Sequence, residues 1–481
     1  MTPIPAPPIA VAALLPVLVV VGAALLVLLV DLLGPGAKRA LAPVALAGVV
    51  GALLAAVASW GRGARGFRDM VVLDDFALFL HLVVGYAAAL VLLLSPDYLR
   101  REGVEGGEYY ALVLSSAAGM MLLAAAGDLV VVFLALELTS LPLYVLSGLF
   151  KRRLEAGEAA LKYFLLGVFA SAFLLYGIAL LYGAAGSTNL DRVAAALTAR
   201  PPAPLALLGL ALVLVGFGFK IAAVPFHMWA PDVYEAAPTS VTALIATGSK
   251  AAVFGALIRL VAVGLHATDW TPLLWGLAVA TMTVGNVVAI AQSNLKRLLA
   301  YSSVAHVGYM LVGLVAGGVT GAGAVLFYLL AYTFTTAGAF GVLTLCERAG
   351  EEAVTVDDYA GLGRRHPVLA LALTLFLLSL IGIPPLAGFV AKFYLFGAAV
   401  REGFVGLAVI AVLNSAVAAY YYLRVVVAMY MHEPGAPGAT LVPSLAGGLA
   451  LAVAVVGVIV LGVLPAPFAE LAQAAVAPLL R

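Results

Sequence analysis

Apolar runs of about twenty residues, separated by short polar punctuation, recur along the whole chain. A helix crossing a bilayer needs ~20 mostly apolar residues. By that rule about fourteen spans begin near residues 9, 40, 76, 109, 129, 158, 204, 239, 272, 298, 321, 367, 405 and 444. The connections are short, so the pattern leaves no water-soluble domain between spans. Backbone polar groups find no water partners in lipid, which makes the spans helical. The expected fold is therefore an all-α integral membrane bundle. The stretch from about 367 to 399 is too long for one straight span and predicts a broken helix. The N-terminal MTPIPAPPIA lacks a basic segment, and the apolar run there is too long for a signal-peptide core. It reads as the first membrane helix.

Composition agrees with this pattern. Hydrophobic residues make up 64% of the chain and charged residues only 10%, against ~25% charged in soluble domains. The net charge of +1 gives no sign of nucleic-acid binding or of a polybasic anchor. The lone cysteine, Cys346, excludes disulfides and Cys-ligated zinc or iron–sulfur sites within the chain, and at the end of an apolar span it reads as a packed, inert thiol.

Basic loop residues set orientation. With the N-terminus outside, the inner loops hold Lys38, Arg39, Arg100, Arg101, Lys151, Arg152, Arg153, Lys296, Arg297, Arg348, Arg364 and Arg365. The outer side holds Arg62, Arg65, Arg68, Arg192, Arg200, Arg401 and Arg481. The bias places both termini outside. Lys162, Arg259 and Arg424 lie near span ends, where long side chains are expected to snorkel.

Four ionisable side chains remain deep in apolar sequence: Glu137, Lys220, Lys250 and Lys392. A charge at a bilayer centre costs about 2.5–3.5 kcal/mol or more, and intramembrane ionisable groups mark ion or proton pathways by default. The chain also aligns with itself: Tyr144, Gly148, Leu149, Tyr163 and Phe169 fall on Tyr309, Gly313, Leu314, Tyr328 and Phe334 at a constant shift of 165 residues. That shift covers five spans, an odd number, so the second copy is inverted, as in many transporters. Pro225 and Pro231 follow Lys220 in the first copy, and Pro384 and Pro385 precede Lys392 in the second. Proline removes a backbone donor and breaks the helix, predicting two discontinuous helices, each beside a lysine. The expected divisions are a three-helix segment over 1–108, five-helix repeats over 109–265 and 270–432, and a C-terminal helix and tail over 433–481.

Burial in hydrocarbon can bring an amine's proton exchange towards neutral pH, and a nearby carboxylate opposes that shift. A carboxylate approaching a lysine would load it, and separation would help unload it. One acid cannot fully pair three lysines, so a static ion-pair network cannot be made from these four groups alone. His306 lies among Ser302, Ser303 and Tyr309 in AYSSVAHVGYM, and His227 lies in the interrupted PFHMW. His306 could be a relay or a hydrogen-bonded packing residue, and His227 could line water and serve as a relay. His81, His266, His366 and His432 fall near span ends and are expected at the interface. No HExxH, GxGxxG or phosphate-loop pattern occurs, so no metal or nucleotide site is expected.

These residues resemble the antiporter-like membrane subunits of bacterial respiratory complex I, the proton-pumping NADH–quinone oxidoreductase, and most of all its subunit N. The carrying motifs are LELTSLPLYVLSGLFKR, EAALKYFLLGVFASAFLLYGIALLYG, FKIAAVPFHMWAPDVYEAAPTSVTALIATGSKAA, AIAQSNLKRLLAYSSVAHVGYMLVGL and LIGIPPLAGFVAKFYLF, together spanning roughly residues 109–432. EAAPTS departs from the EGAPTP usual there. The resemblance implies that Glu137 and Lys220 form an acid–lysine pair, that Lys250 is the central lysine, and that Lys392 is the exit-side lysine. A glutamate is usual at that last place in subunit M. It further implies an inner-membrane location, with both ends periplasmic, and partners that include subunits M and K as well as lipid. FMN, iron–sulfur clusters and quinone would belong to other chains. A long lateral C-terminal helix like that of subunit L is not expected. The alternatives left open are a subunit of a multisubunit cation/proton antiporter or membrane-bound hydrogenase, and a purely structural scaffold.

Overall fold

A computed structural model describes residues 10–151, 153–199, 203–264, 269–348, 350–433 and 438–480. Arg152, Arg200, His266 and Arg481 lie outside these. The first half of the chain forms α1 (Leu15–Asp31), α2 (Lys38–Ser59), α3 (Asp75–Glu102), α4 (Gly107–Ala124), α5 (Leu129–Ser147), α6 (Leu154–Ala185), α7 (Leu190–Thr198), α8 (Pro204–Ile221), α9 (Trp229–Ala236), α10 (Thr239–Leu244) and α11 (Lys250–Gly264). The second forms α12 (Thr271–Ile290), α13 (Leu295–Ala316), α14 (Gly318–Thr344), α15 (Leu362–Arg365), α16 (Pro367–Ile381), α17 (Ala387–Arg401), α18 (Val405–Met431), α19 (Leu445–Val463) and α20 (Ala466–Val476). Thirteen helices among the described residues are long and apolar enough to cross a membrane, α10 and α11 counting as one. The fourteenth expected span is the broken pair α16/α17. The segment expected as a tail is α20, which packs back on α14 and α3.

Because spans alternate in direction, the loops gather at two ends. One end carries an antiparallel hairpin, β1 (Ala64–Gly66) with β2 (Val71–Leu73). The other carries a small sheet in the order β4 (Glu351–Glu352), β3 (Cys346–Arg348), β5 (Thr440–Leu441). The described basic residues expected inside all fall at the sheet end, and those expected outside at the hairpin end.

The internal repeat is visible in the backbone. At the hairpin end the start of α5 is stitched to the segment before α7: Leu129 N donates to Thr188 O at 2.8 Å and Leu190 N to Gly127 O at 3.0 Å. At the sheet end the start of α13 is stitched the same way, Leu295 N to Val354 O at 2.7 Å and Val356 N to Ser293 O at 2.9 Å. The same bridge on opposite ends is what inverted copies require. Each copy then meets a break. The helix ends at Ala222 (φ +59°) in the first and at Gly382 (φ +95°) in the second, and cis prolines 225 and 385 follow three residues later in both. α3 and the α10–α11 span fill the centre, the latter wholly buried.

Three expectations fail at span ends. Arg259 does not snorkel; only 4% exposed, it holds Asp74 with two hydrogen bonds of 2.9 and 2.8 Å. Arg424 donates to Ile290 O at 3.0 Å, capping α12. Partners supplied by other helices capture the two arginines before water does, whereas Lys162 does reach the sheet end, 41% exposed and paired with Asp232. His81 is not interfacial either: fully buried, it meets Met121 O through Nε2 at 2.8 Å, because the central α3 is covered from its first turn. Cys346 is buried as expected, and burial pushes its thiol up to about 12.

Candidate functional site

Ser140 and Tyr144 follow Glu137 by three and seven residues on α5, so all three share one helix face. Lys220, in the last turn of α8, donates to Ser140 Oγ at 2.7 Å and to Tyr144 Oη at 2.8 Å. Glu137 instead accepts from Ser171 Oγ of α6 at 2.5 Å. The expected acid–lysine pair is therefore not a direct ion pair: hydroxyls on the acid's own helix hold the amine. Glu137 is half-buried and lies at the lateral surface beside exposed Leu134, Leu138 and Leu141. The three lysines are only 5%, 1% and 5% exposed in chain order.

Immediately before Lys250 the helix widens into a π turn, Ile245–Ser249. Such single-turn widenings recur at functional sites, and nothing in IATGS predicted one. Lys250 Nζ reaches Ser303 of α13, at 2.5 Å to Oγ and 3.1 Å to the carbonyl. Tyr332 Oη also donates to Ser303 Oγ at 2.7 Å, and Tyr234 Oη lies 3.4 Å from it.

From Ser303, α13 presents His306 and Tyr309 at successive turns. His306 contacts Tyr328 Oη at 2.5 Å through Nδ1 and Tyr422 Oη at 3.4 Å through Nε2, and Tyr422 also bonds Ser302. Asn286 donates to Tyr309 Oη at 2.9 Å. Lys392 Nζ lies 4.6 Å from the centre of the Tyr309 ring, and donates to Leu380 O at 3.1 Å, Ile381 O at 2.9 Å and Ser415 Oγ at 3.1 Å. A ladder of hydroxyl, imidazole and phenol on one helix thus spans from Lys250 to Lys392.

The interval between Lys220 and Lys250 is different. Tyr144 packs edge-on to Tyr163 at 4.7 Å, Tyr163 stacks on Trp229 at 4.4 Å, and Trp229 meets Tyr234 at 6.4 Å. Four aromatic rings fill that space. His227 sits half-buried in the break, its Nδ1 without a hydrogen-bond partner. The prolines expected at the breaks, Pro225, Pro384 and Pro385, occupy the turns that follow α8 and α16.

Sequence reasoning missed a charged hub at the sheet end. Glu352 accepts from Tyr98 and from Thr239 Oγ1 at 2.9 Å, and lies 3.5 Å from both Lys296 and Arg153. It joins the ends of α3, α6, α10 and α13. Burial alone would raise its pKa, but Lys296, these hydrogen bonds and Arg153 together hold the carboxyl below its ordinary value. Asp232 is likewise half-buried yet held low by Lys162 and Arg297. A cavity of about 620 Å³ lined by Glu352, Asp232, Glu235, Arg153 and Lys162 opens here. Five residues scattered from 98 to 352 leave no local signal; only the polarity of Glu351–Glu352 near an apolar span hints at it. Among the described residues no group of three or more His, Cys, Asp or Glu is placed to hold a metal ion.

A family profile described as NADH:quinone oxidoreductase/Mrp antiporter, transmembrane, matches residues 126–418. NADH-quinone oxidoreductase subunit N of Trichlorobacter lovleyi is 48% identical over 475 residues, covering 96% of this chain and 95% of its own. A chain of respiratory complex I from Thermus thermophilus superposes with a TM-score of 0.82 at 38% identity, over 95% of this chain and 99% of that one. A chain of an archaeal respiratory membrane complex, membrane-bound sulfane sulfur reductase, gives 0.87 at 26% identity over 98% of each.

Proposed function

The chain belongs to the subunit N branch of the NADH:quinone oxidoreductase/Mrp antiporter family, and from that premise we propose that it is a proton-translocating membrane subunit of a respiratory NADH–quinone oxidoreductase. The observation that carries this reading is the burial of three lysines, each held by hydroxyls or carbonyls and, among the described residues, none in contact with a carboxylate. Neutral acceptors leave each amine able to give up its proton without stranding a buried anion. Glu137, Lys220, Lys250 and Lys392 carry the charge changes. His306 relays between the last two with Tyr309, and His227 borders the first break.

Movement of a proton against 100 mV costs about 2.3 kcal/mol. The energy comes from quinone reduction in other chains, which hold the FMN, iron–sulfur clusters and quinone. The chain is a membrane-embedded member of a multisubunit assembly, and its expected neighbours are an M-type subunit and the small K-type subunit. Half-buried Glu137 on an exposed apolar face suits a contact with one of them. The basic asymmetry supports a cytoplasmic sheet end and periplasmic termini in a bacterial inner membrane. Functionally the chain divides at 108, 265–270 and 432, with the proton-handling groups confined to the two middle units.

The test is Lys250→Ala in the assembled complex. NADH-driven proton pumping collapses while assembly, checked by native gel, is unchanged; retained pumping would leave only a scaffold. NADH-independent cation exchange by the same complex would instead identify an antiporter.

A further inference from the structure

We propose that the groove between α16 and α19 is a binding site for one anionic phospholipid, with its phosphate against Arg365 and His366 at the sheet end and an acyl chain along α19. The groove holds about 660 Å³ and is lined by apolar side chains such as Leu371, Leu375, Leu451 and Val455. Its polar rim is basic. Arg365 and His366 line it, Arg364 adjoins them, and no acidic side chain is among its described lining residues. Two acids of the flanking loops are engaged elsewhere, Asp358 by Arg348 at 2.5 Å and Glu347 by Arg101 at 3.7 Å.

Arg365 uses Nη2 on Ala360 O at 2.9 Å, while its Nε is buried without a partner. His366 accepts from Leu441 N at 3.4 Å through Nε2, which puts the ring proton on Nδ1 as a donor. Both α16 and α19 begin at this rim, and α16 has no side-chain cap. Unsatisfied first-turn N–H groups favour an anion, reinforcing the charge complementarity that selects the occupant. Basic pockets between membrane helices hold anionic headgroups in this way.

The length of the groove suits an acyl chain. From Ser444 to Val456 it follows α19 for ~18 Å, close to the ~15 Å of one leaflet's hydrocarbon. Beyond Val456 the groove continues into a second cavity of about 530 Å³ that shares Ala452 and Val456 and is lined by Phe468 and Leu471 of α20. A long acyl chain has somewhere to end.

The experiment uses the assembled complex, reconstituted in nanodiscs of equal phosphatidylglycerol and phosphatidylcholine, re-extracted in mild detergent and measured by native mass spectrometry of the released subunit. Wild type retains one phosphatidylglycerol in preference to phosphatidylcholine. Gly448→Phe fills the groove; a Cβ there meets nothing within 4 Å, so the ring enters the groove without displacing the backbone, and retained lipid drops ~10-fold. Arg365→Gln keeps the groove but removes the charge, and the preference for phosphatidylglycerol is lost. Wild-type retention in Gly448→Phe, or equal retention of both lipids by the wild-type chain, overturns the proposal. Should Gly448→Phe fail to assemble, the headgroup preference in Arg365→Gln decides alone.

Discussion

The two helix breaks are built on one backbone plan and finished differently. In the first, the carbonyl of Phe219 at the end of α8 accepts the Trp229 indole N–H of α9 at 2.9 Å. In the second, the carbonyls of Leu380 and Ile381 at the end of α16 accept the Lys392 ammonium of α17. A tryptophan caps one break and a lysine caps the other. Lys220 is thereby free to reach across to hydroxyls on α5, whereas Lys392 is occupied with its own broken helix. The difference separates two ways of keeping an amine in hydrocarbon. Lys220 answers to a neighbouring helix that also carries Glu137, and Lys392 answers to the negative end of a half-helix, which favours a cation without any acid.

The largest test acts between the two. Lys250→Ala lowers NADH-driven pumping by ~10-fold or more, since it removes the amine that stands between Lys220 and Lys392; an unchanged rate would make the comparison one of packing alone. Next comes the hub that ties both copies together. Glu352→Gln leaves Lys296 buried and unpaired, at a cost of about 3 kcal/mol, read as earlier thermal unfolding. Because the folded carboxyl lies below its ordinary 4.5, its contribution is complete above about pH 4.5 and is lost as pH falls through the folded value. The gap between wild type and variant is therefore widest near neutrality and closes under acid; a gap that widened under acid would refute the assignment.

The third test addresses the lysines' partners directly. Ser140→Ala with Tyr144→Phe strips Lys220 of both acceptors and slows pumping ~3- to 10-fold. Ser415→Ala leaves Lys392 its two carbonyls and changes pumping less than ~2-fold. Equal losses would erase the distinction. The smallest effect concerns the left-handed residues at the breaks. Gly382→Ala places a non-glycine at φ +95° with its Cβ 3.1 Å from Lys392 Cδ, costing ~1–2 kcal/mol. Ala222→Gly, where the chain already accepts a side chain at φ +59°, shifts stability by less than ~1 kcal/mol. Melting temperatures of the two variants give the comparison.

What the sequence disclosed was what is local. Spans, prolines and deep lysines each announce themselves within twenty residues, so the fourteen crossings and the break at 382–386 were legible. The gapless shift that aligned Tyr144 with Tyr309 also found the repeat. It could not show that the copies lose step along their length: the helix starts at Leu129 and Leu295 are 166 residues apart, the breaks at Ala222 and Gly382 only 160. Nor could it show the absence of a Glu137–Lys220 contact, since Ser140 and Tyr144 intervene only once α8 is docked on α5. Arg259, Arg424 and His81 were misjudged for one reason: position along a span does not reveal whether another helix covers that end.

The ladder on α13 has a consequence for chain length. Ser303, His306 and Tyr309 are three apart on a helix that turns 100° per residue, so each rung is offset by ~60° from the last and the ladder winds part-way round the helix between Lys250 and Lys392. One residue inserted between Ser303 and Tyr309 would leave the span as apolar and nearly as long as before. It would nevertheless turn Tyr309 by ~100° relative to Ser303, away from the ring position that Lys392 meets. Along this stretch substitutions can be absorbed singly, but insertions and deletions cannot: the count of residues there is itself a functional quantity.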